Sequence, residues 1–156
     1  YKSELFNTEN ASDWPLMRVE EMILIQAEGL AMSGDLGGGK RVLEDFVTNY
    51  RCMDGSVFQS VASAPEAFQD EVWLQRRMDL WGEGFSFFDL MRLEKGVTRV
   101  DDQGNTSYPE VVQYNLAAND SILLYPIPEA EINVNDAIGE KDNNPAAQKP
   151  KPVPSE

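Results

Sequence analysis

The sequence predicts a mainly α protein with a short extended or hairpin segment and an irregular C-terminal region. Apolar residues recur at steps of three and four from Leu16 to Leu93. Between Lys95 and Asp120 the chain turns polar and turn-rich, and after Asn133 it is dominated by Asn, Asp, Pro and Lys.

The first helix is expected to open at Ser12-Asp13-Trp14-Pro15, a capping residue followed by proline near the first turn. Leu16, Val19, Ile23, Ala27 and Leu30 then form an apolar stripe, widened by Met22, Ile25 and Ala31. Ser33-Gly34-Asp35 marks its end. Gly37-Gly38-Gly39 reads as a flexible turn before Val42, Leu43, Phe46, Val47 and Tyr50 resume helical spacing, which predicts two antiparallel helices.

A third helix is expected from Ser63-Ala64-Pro65-Glu66, read as a capping box, through Phe68, Val72, Leu74, Met78 and Trp81. Gly82 and Gly84 interrupt it, and Phe85 to Leu93 reads as a short aromatic-rich fourth helix. Asp101 to Asn105 is a polar turn between the runs Val97–Val100 and Ser107–Val112, which predicts a small hairpin or an ordered loop. Ser121 to Tyr125 suits a packed extended run, since Pro126 and Pro128 stop it continuing. Glu129 to Ile132 suits one helical turn, and the Pro/Lys-rich end, residues 146–156, is expected to be extended and mobile.

Composition removes several function classes. With 156 residues the chain can build one domain with a proper core. Its 27 acidic against 13 basic residues, a net charge of -14, would repel a phosphate backbone, so no nucleic-acid partner is expected. Without histidine there is no His-based triad and no histidine-ligated zinc. A lone Cys52 allows neither an intrachain disulfide nor a thiolate cluster. No cofactor, metal or catalytic residue is expected, and no stretch is apolar for long enough to span a bilayer. The abrupt start at Tyr1, with no leader, predicts a piece of a longer protein.

Four groups of residues have a chemical reading to weigh. Gly34 to Lys40 has the spacing of a phosphate-binding loop, but Arg41 stands where Ser or Thr should hold magnesium and a helix precedes the glycines. Asp79 and Glu83, at i and i+4, could serve as paired carboxylates of a glycosidase, although Arg76 and Arg77 offer them ordinary ion pairs. Trp81, Phe85, Phe87 and Phe88 fit a hydrophobic seam better than a sugar platform. Phe58, Tyr108 and Tyr114 are the candidate ligand-binding residues, because they are aromatics in loops where a flat ring can meet a ligand.

Three motifs in order carry a resemblance. Leu16-Met17-Arg18-Val19-Glu20-Glu21 running into Gln26-Ala27-Glu28-Gly29-Leu30 resembles an arginine-x-x-glutamate helix ending in Ala-Glu. Arg76 to Arg92, with Glu83-Gly84 and Asp89-Leu90-Met91-Arg92, resembles an Arg-rich helix running into Glu-Gly and Asp-Leu-x-Arg. Leu124-Tyr125-Pro126-Ile127-Pro128-Glu129 and Asn143-Asn144-Pro145 are similar to a closing Pro-Ile-Pro segment and a terminal Gln-Asn-Pro. All three resemble motifs of the SusD/RagB family, in its C-terminal part. Gln75, Ser86 and Asn143 stand where glutamate, arginine and glutamine are usual in it.

The resemblance implies a tetratricopeptide-like helical scaffold over residues 14–145, after an irregular lead-in over 1–13. It implies a noncatalytic, glycan- or nutrient-binding surface lipoprotein of Bacteroidetes-type bacteria. Such a protein works at the outer membrane with a SusC-like TonB-dependent transporter and an oligosaccharide or other nutrient. The remaining N-terminal part of the same protein would carry the lipid anchor, and Cys52 would not. Within the motifs, Arg18 with Glu21, or Arg76 with Glu83, can tie helices together. The other reading of a helical-pair scaffold is a protein-protein interaction module without a small-molecule ligand.

Overall fold

The computed structural model describes residues 17–147 and residue 150. The lead-in over 1–13, the Ser12-to-Pro15 helix start and most of the Pro/Lys-rich end lie outside the described residues. Among those described, five α-helices follow in order: α1 (Val19–Met32), α2 (Leu36–Tyr50), α3 (Pro65–Asp79), α4 (Phe85–Arg92) and α5 (Glu129–Val134). They are distributed over two compact units, Tyr1–Phe85 and Ser86–Glu156.

In the first unit α1 runs from Val19, and Arg18 before it is extended (φ -118°, ψ 144°). Its buried face is Leu24, Ala27, Glu28 and Ala31, with Ile23 packed beside them, while Val19, Met22 and Ile25 are exposed. The stripe is therefore rotated from the one periodicity suggested. Residues 22 to 25 are all apolar, so spacing alone leaves the inward direction open.

The α1–α2 connection is shorter than the glycines imply. Gly34 takes a positive φ of 106° at the end of α1, where Asp35 N–H closes back on the Leu30 carbonyl at 2.9 Å. Asp35 then caps α2 by accepting from Gly38 N–H at 2.7 Å, so Gly37-Gly38-Gly39 form the first turn of a helix and not a flexible link. A Cβ on Gly39 would stand 2.6 Å from the Ala27 carbonyl and 3.1 Å from Ala31 Cβ, so glycine there lets α2 lie close against α1.

Ala64, not Ser63, is the N-cap of α3, with no side-chain cap bond and Pro65 in the first turn. Its Phe68 and Val72 join Leu24, Ala27, Ala31, Leu43, Phe46, Val47 and Ala62 in the core, and Cys52 and Phe58 pack partly against it. One turn later the same face carries Gln75, Arg76 and Asp79, all buried. Leu74, Met78 and Trp81, expected inside, are exposed, because the inward face of α3 changes from apolar to polar halfway along.

The second unit takes α4 from Ser86 onward, and its Asp89 is buried against Arg92 Nε at 2.8 Å. No strand forms among the described residues. The ordered-loop alternative is the one adopted, with a single antiparallel bridge between Val97 and Leu116. Ser107–Val112 does not pair with Val97–Val100: Pro109 lacks a donor, and residues 110–112 close as a 3-10 turn. Asn115 substitutes for the missing strand, its Oδ1 accepting from Arg99 and Val100 N–H at 2.8 and 3.0 Å and its Nδ2 donating to the Val100 carbonyl at 2.9 Å.

Ser121–Leu123 is a 3-10 turn capped by Asp120 and not an extended run; Leu123 is buried while Tyr125 is exposed. Asn143 Oδ1 accepts from Ile127 N–H at 2.7 Å, and Asn144 Nδ2 donates to the Tyr125 carbonyl at 2.7 Å. The third motif is thus held together by amide side chains reading backbone, a role that asparagine fills without the longer glutamine.

Candidate functional site

Two constellations gather polar and aromatic side chains. The first lies in the loop from Arg99 to Leu116 of the second unit. The Arg99 guanidinium lies 4.4 Å from the Tyr114 ring centroid and 5.4 Å from that of Tyr108, so two of the three aromatics singled out in the sequence meet on one arginine. Arg99 also donates to the Val112 carbonyl at 3.2 Å, and Gln113 Nε2 donates to the Tyr108 carbonyl at 2.8 Å. These bonds fix the tyrosines from behind. Tyr108 remains 47% exposed and Tyr114 is half-buried.

The adjoining turn is held by Asp101, whose Oδ1 accepts from Gln103 and Asn105 N–H at 2.9 and 2.7 Å. The Asn105 side-chain hydrogen bond, and then its backbone one, hold the Asp101 carboxyl below the usual range. The loop is therefore held in place by its own side-chain hydrogen bonds and leaves Tyr108 partly exposed. Chemically it can stack a flat, weakly polar ring against Tyr108 with hydrogen-bonding groups beside it.

Phe58 is not part of this group. It packs against the core of the first unit, and its N–H donates to Thr48 Oγ1 at 3.1 Å.

The second constellation is ionic. Arg18 donates to the Asp79 carbonyl at 3.1 Å and pairs with Glu83 and with Glu20, the latter at 3.1 Å. Arg51 pairs with Asp79 and reaches Glu20 at 3.5 Å. Arg18 therefore bridges to Glu20 and Glu83 where the sequence pointed to Glu21. Burial pulls the Arg18 guanidinium down in proton affinity, but the hydrogen bonds and charges of Glu20 and Glu83 outweigh it and leave it raised. The Arg18 hydrogen bond holds the Glu20 carboxyl low in turn.

Asp79 and Glu83 are thus separated in role. Asp79 ends α3 and takes Arg51, while Glu83 lies beyond the helix and takes Arg18. A guanidinium on each carboxylate is the environment of a structural tie between the ends of α1, α2 and α3. The aromatics of the second motif are divided too. Arg76 lies 5.8 Å from the Phe85 ring centroid, Phe87 contacts Phe88 and Tyr125 at 5.8 and 5.5 Å, and Trp81 and Phe88 are exposed.

The glycine-rich stretch holds no phosphate cradle. The Asp35 carboxylate already occupies the start of α2, and Lys40 Nζ donates to the Ala62 carbonyl at 2.6 Å. Sequence reasoning missed Arg99 and Asn115, the residues that build the tyrosine loop; the signal was an arginine and an asparagine flanking the two aromatics, which only a closed loop brings together. No helix among the described residues is long and apolar enough to cross a membrane.

No curated protein sequence matches the chain. Among solved structures it is similar to a SusD-like carbohydrate binding protein from Bacteroides vulgatus, with 25% identity and a TM-score of 0.62, over 84% of this chain and 30% of that one. The chain therefore spans less than a third of the length of that relative. The SusD family matches residues 2–145, which takes in all three motifs. Sequence motifs, helical architecture and family match agree, and the chain belongs to the SusD/RagB family.

Proposed function

We propose that this chain is part of a noncatalytic, glycan-binding surface lipoprotein that hands an oligosaccharide to a TonB-dependent outer-membrane transporter. The observation that carries the reading is the likeness to a SusD-like carbohydrate binding protein across most of the chain. The chemistry of the loop supports it. A sugar ring is neutral and stacks its C–H face on an aromatic, so the net charge of -14 neither helps nor hinders capture. We assign the ligand contacts of this chain to Tyr108 and Tyr114, and not to Phe58, whose ring covers a core edge. The pairing of Asp79 and Glu83 with arginines favours binding over hydrolysis.

A glycan array with the natural polypeptide tests the reading. Retention of a defined oligosaccharide class, weakened about tenfold by Tyr108→Ala as the loss of one stacking contact predicts, supports it. Absence of any retained glycan, together with unchanged nutrient uptake after deletion, would remove it. Recovery of the transporter in a pull-down tests the partner separately.

A further inference from the structure

Arg99 is the one cationic residue between Gly96 and Asn119, a stretch it shares with the acids Asp101, Asp102 and Glu110. Elsewhere Arg18, Arg51 and Arg92 each pair with a carboxylate. Among the described residues Arg99 pairs with none. Its guanidinium, which carries five N–H donors, has one hydrogen-bond acceptor there, the Val112 carbonyl at 3.2 Å. Asp101 is the acid closest to it in sequence, and that carboxylate is engaged by Gln103 N–H, Asn105 N–H and the Asn105 side chain. Asp102 and Glu110 are exposed. The loop thus keeps its only cation apart from its own acids.

The guanidinium is nevertheless fixed in place. Asn115 Oδ1 accepts from the Arg99 backbone N–H at 2.8 Å, and the Val97–Leu116 bridge closes the base of the loop. The head group lies 4.4 Å from the Tyr114 ring centroid and 5.4 Å from that of Tyr108. Aromatic rings attract a cation without neutralising it. A guanidinium positioned before any ligand arrives loses little freedom on binding, and its planar fork matches an oxyanion. Tyr108 is 47% exposed, so a sugar laid against that ring brings its substituents close to the guanidinium.

We propose that Arg99 takes the anionic group of an acidic saccharide, a sugar bearing a carboxylate or a single sulfate ester, while its ring stacks on Tyr108. The inference names the substrate class of the tyrosine loop and rests on the reading of that loop as a glycan contact. The stacked ring stays neutral; the arginine adds recognition of one charged substituent. A densely charged polyanion is disfavoured, because a single cation beside Asp102 and Glu110, in a chain of net charge -14, cannot offset the repulsion. A purely structural arginine is disfavoured too, because the arginines that tie this fold together do so through carboxylates.

A glycan array probed with the natural polypeptide tests the proposal, with each uronate-bearing or monosulfated oligosaccharide placed beside its carboxyl-reduced or desulfated counterpart. The paired forms share every ring and differ in the charge. The acidic member should bind about tenfold tighter, the gain of a charge-assisted hydrogen bond, and the better of uronate and sulfate ester identifies the group. Equal or better retention of the neutral members overturns the proposal and leaves glycan capture standing. Retention of no glycan at all removes both.

Arg99→Gln locates the contact. It should bring the acidic-to-neutral ratio down to about one, whereas Tyr108→Ala weakens both members of a pair and keeps their ratio. A ratio that survives in Arg99→Gln overturns the assignment to Arg99. Where that variant disturbs the loop and binds neither member, butanedione modification of the unaltered polypeptide, followed arginine by arginine by mass spectrometry, decides instead. The retained acidic oligosaccharide, at about ten times its dissociation constant, should slow modification of Arg99 by about tenfold. An Arg99 modified at the same rate with and without it overturns the proposal.

Discussion

Arg18 and Glu83, 65 positions apart in the chain, are joined by a charge-assisted hydrogen bond that ties the residue before α1 to the segment after α3. The same guanidinium donates to the Asp79 carbonyl and pairs with Glu20, so one side chain closes three parts of the first unit. Both Arg18 and Glu83 side chains are mostly shielded from water, which raises the cost of leaving either alone. Glu83→Gln keeps the shape and loses the charge, and it should lower unfolding stability by about 1–2 kcal/mol. Arg18→Met should cost more, about 2–4 kcal/mol, because three acceptors lose a donor together. Urea unfolding followed by tryptophan fluorescence reads both, and a Glu83→Gln curve superimposable on the parent would show the pair to be inert.

The pairing was only half legible in the sequence. Arg18 and Glu83 both lie in motifs, yet helical spacing pointed Arg18 to Glu21, because sequence distance ranks near neighbours first. What redirects it is the extended backbone at Arg18, which follows from packing and not from local propensity. The same limit explains α1, where an apolar run around Met22 to Ile25 hides which side faces in. Helix existence was clear because it is set by periodicity over many residues, as in α2 and α3. The tyrosine loop was invisible as a unit, since Arg99, Tyr108, Tyr114 and Asn115 share no period and meet through cation–π contacts and side-chain hydrogen bonds.

The ionic tie also fixes an acid dependence. The Arg18 hydrogen bond holds the Glu20 carboxyl below its ordinary range in the folded protein. A depressed carboxyl contributes stability that is fully present above its unfolded value, about pH 4.3, and is lost as pH falls through the folded value. Glu20→Gln removes that titration. The stability gap between parent and Glu20→Gln should therefore be constant near neutrality and shrink as pH drops below about 4. A gap that widens on acidification would contradict the sign.

Gly39 sets the distance between α1 and α2. An added Cβ would stand 2.6 Å from a backbone oxygen that cannot swing away, so the helices must part. Gly39→Ala should destabilise the first unit by about 1–3 kcal/mol, despite the better helix propensity of alanine. Thermal melting of Gly39→Ala should show the loss, and a raised midpoint would mean the approach is looser than the geometry states.

Glu94 closes α4 in a conformation that disfavours its own side chain. Its φ is 49°, and around it Lys95 N–H bonds the Leu90 carbonyl at 2.9 Å while Glu94 N–H bonds that of Met91 at 3.3 Å. This is the hydrogen-bond pattern of a helix that ends through a left-handed residue, a position where glycine carries no Cβ penalty. An L side chain there costs about 1 kcal/mol. Glycine gives part of that back by gaining freedom in the unfolded chain, so Glu94→Gly should be net stabilising by about 0.5–1 kcal/mol. The change also removes one negative charge from the C-terminal end of α4, where the helix dipole already opposes it. Glu94→Ala separates the two effects, because it removes the charge and keeps the Cβ. Slower amide exchange at Lys95 in Glu94→Gly but not in Glu94→Ala would assign the gain to the backbone, whereas equal slowing in both would assign it to the charge.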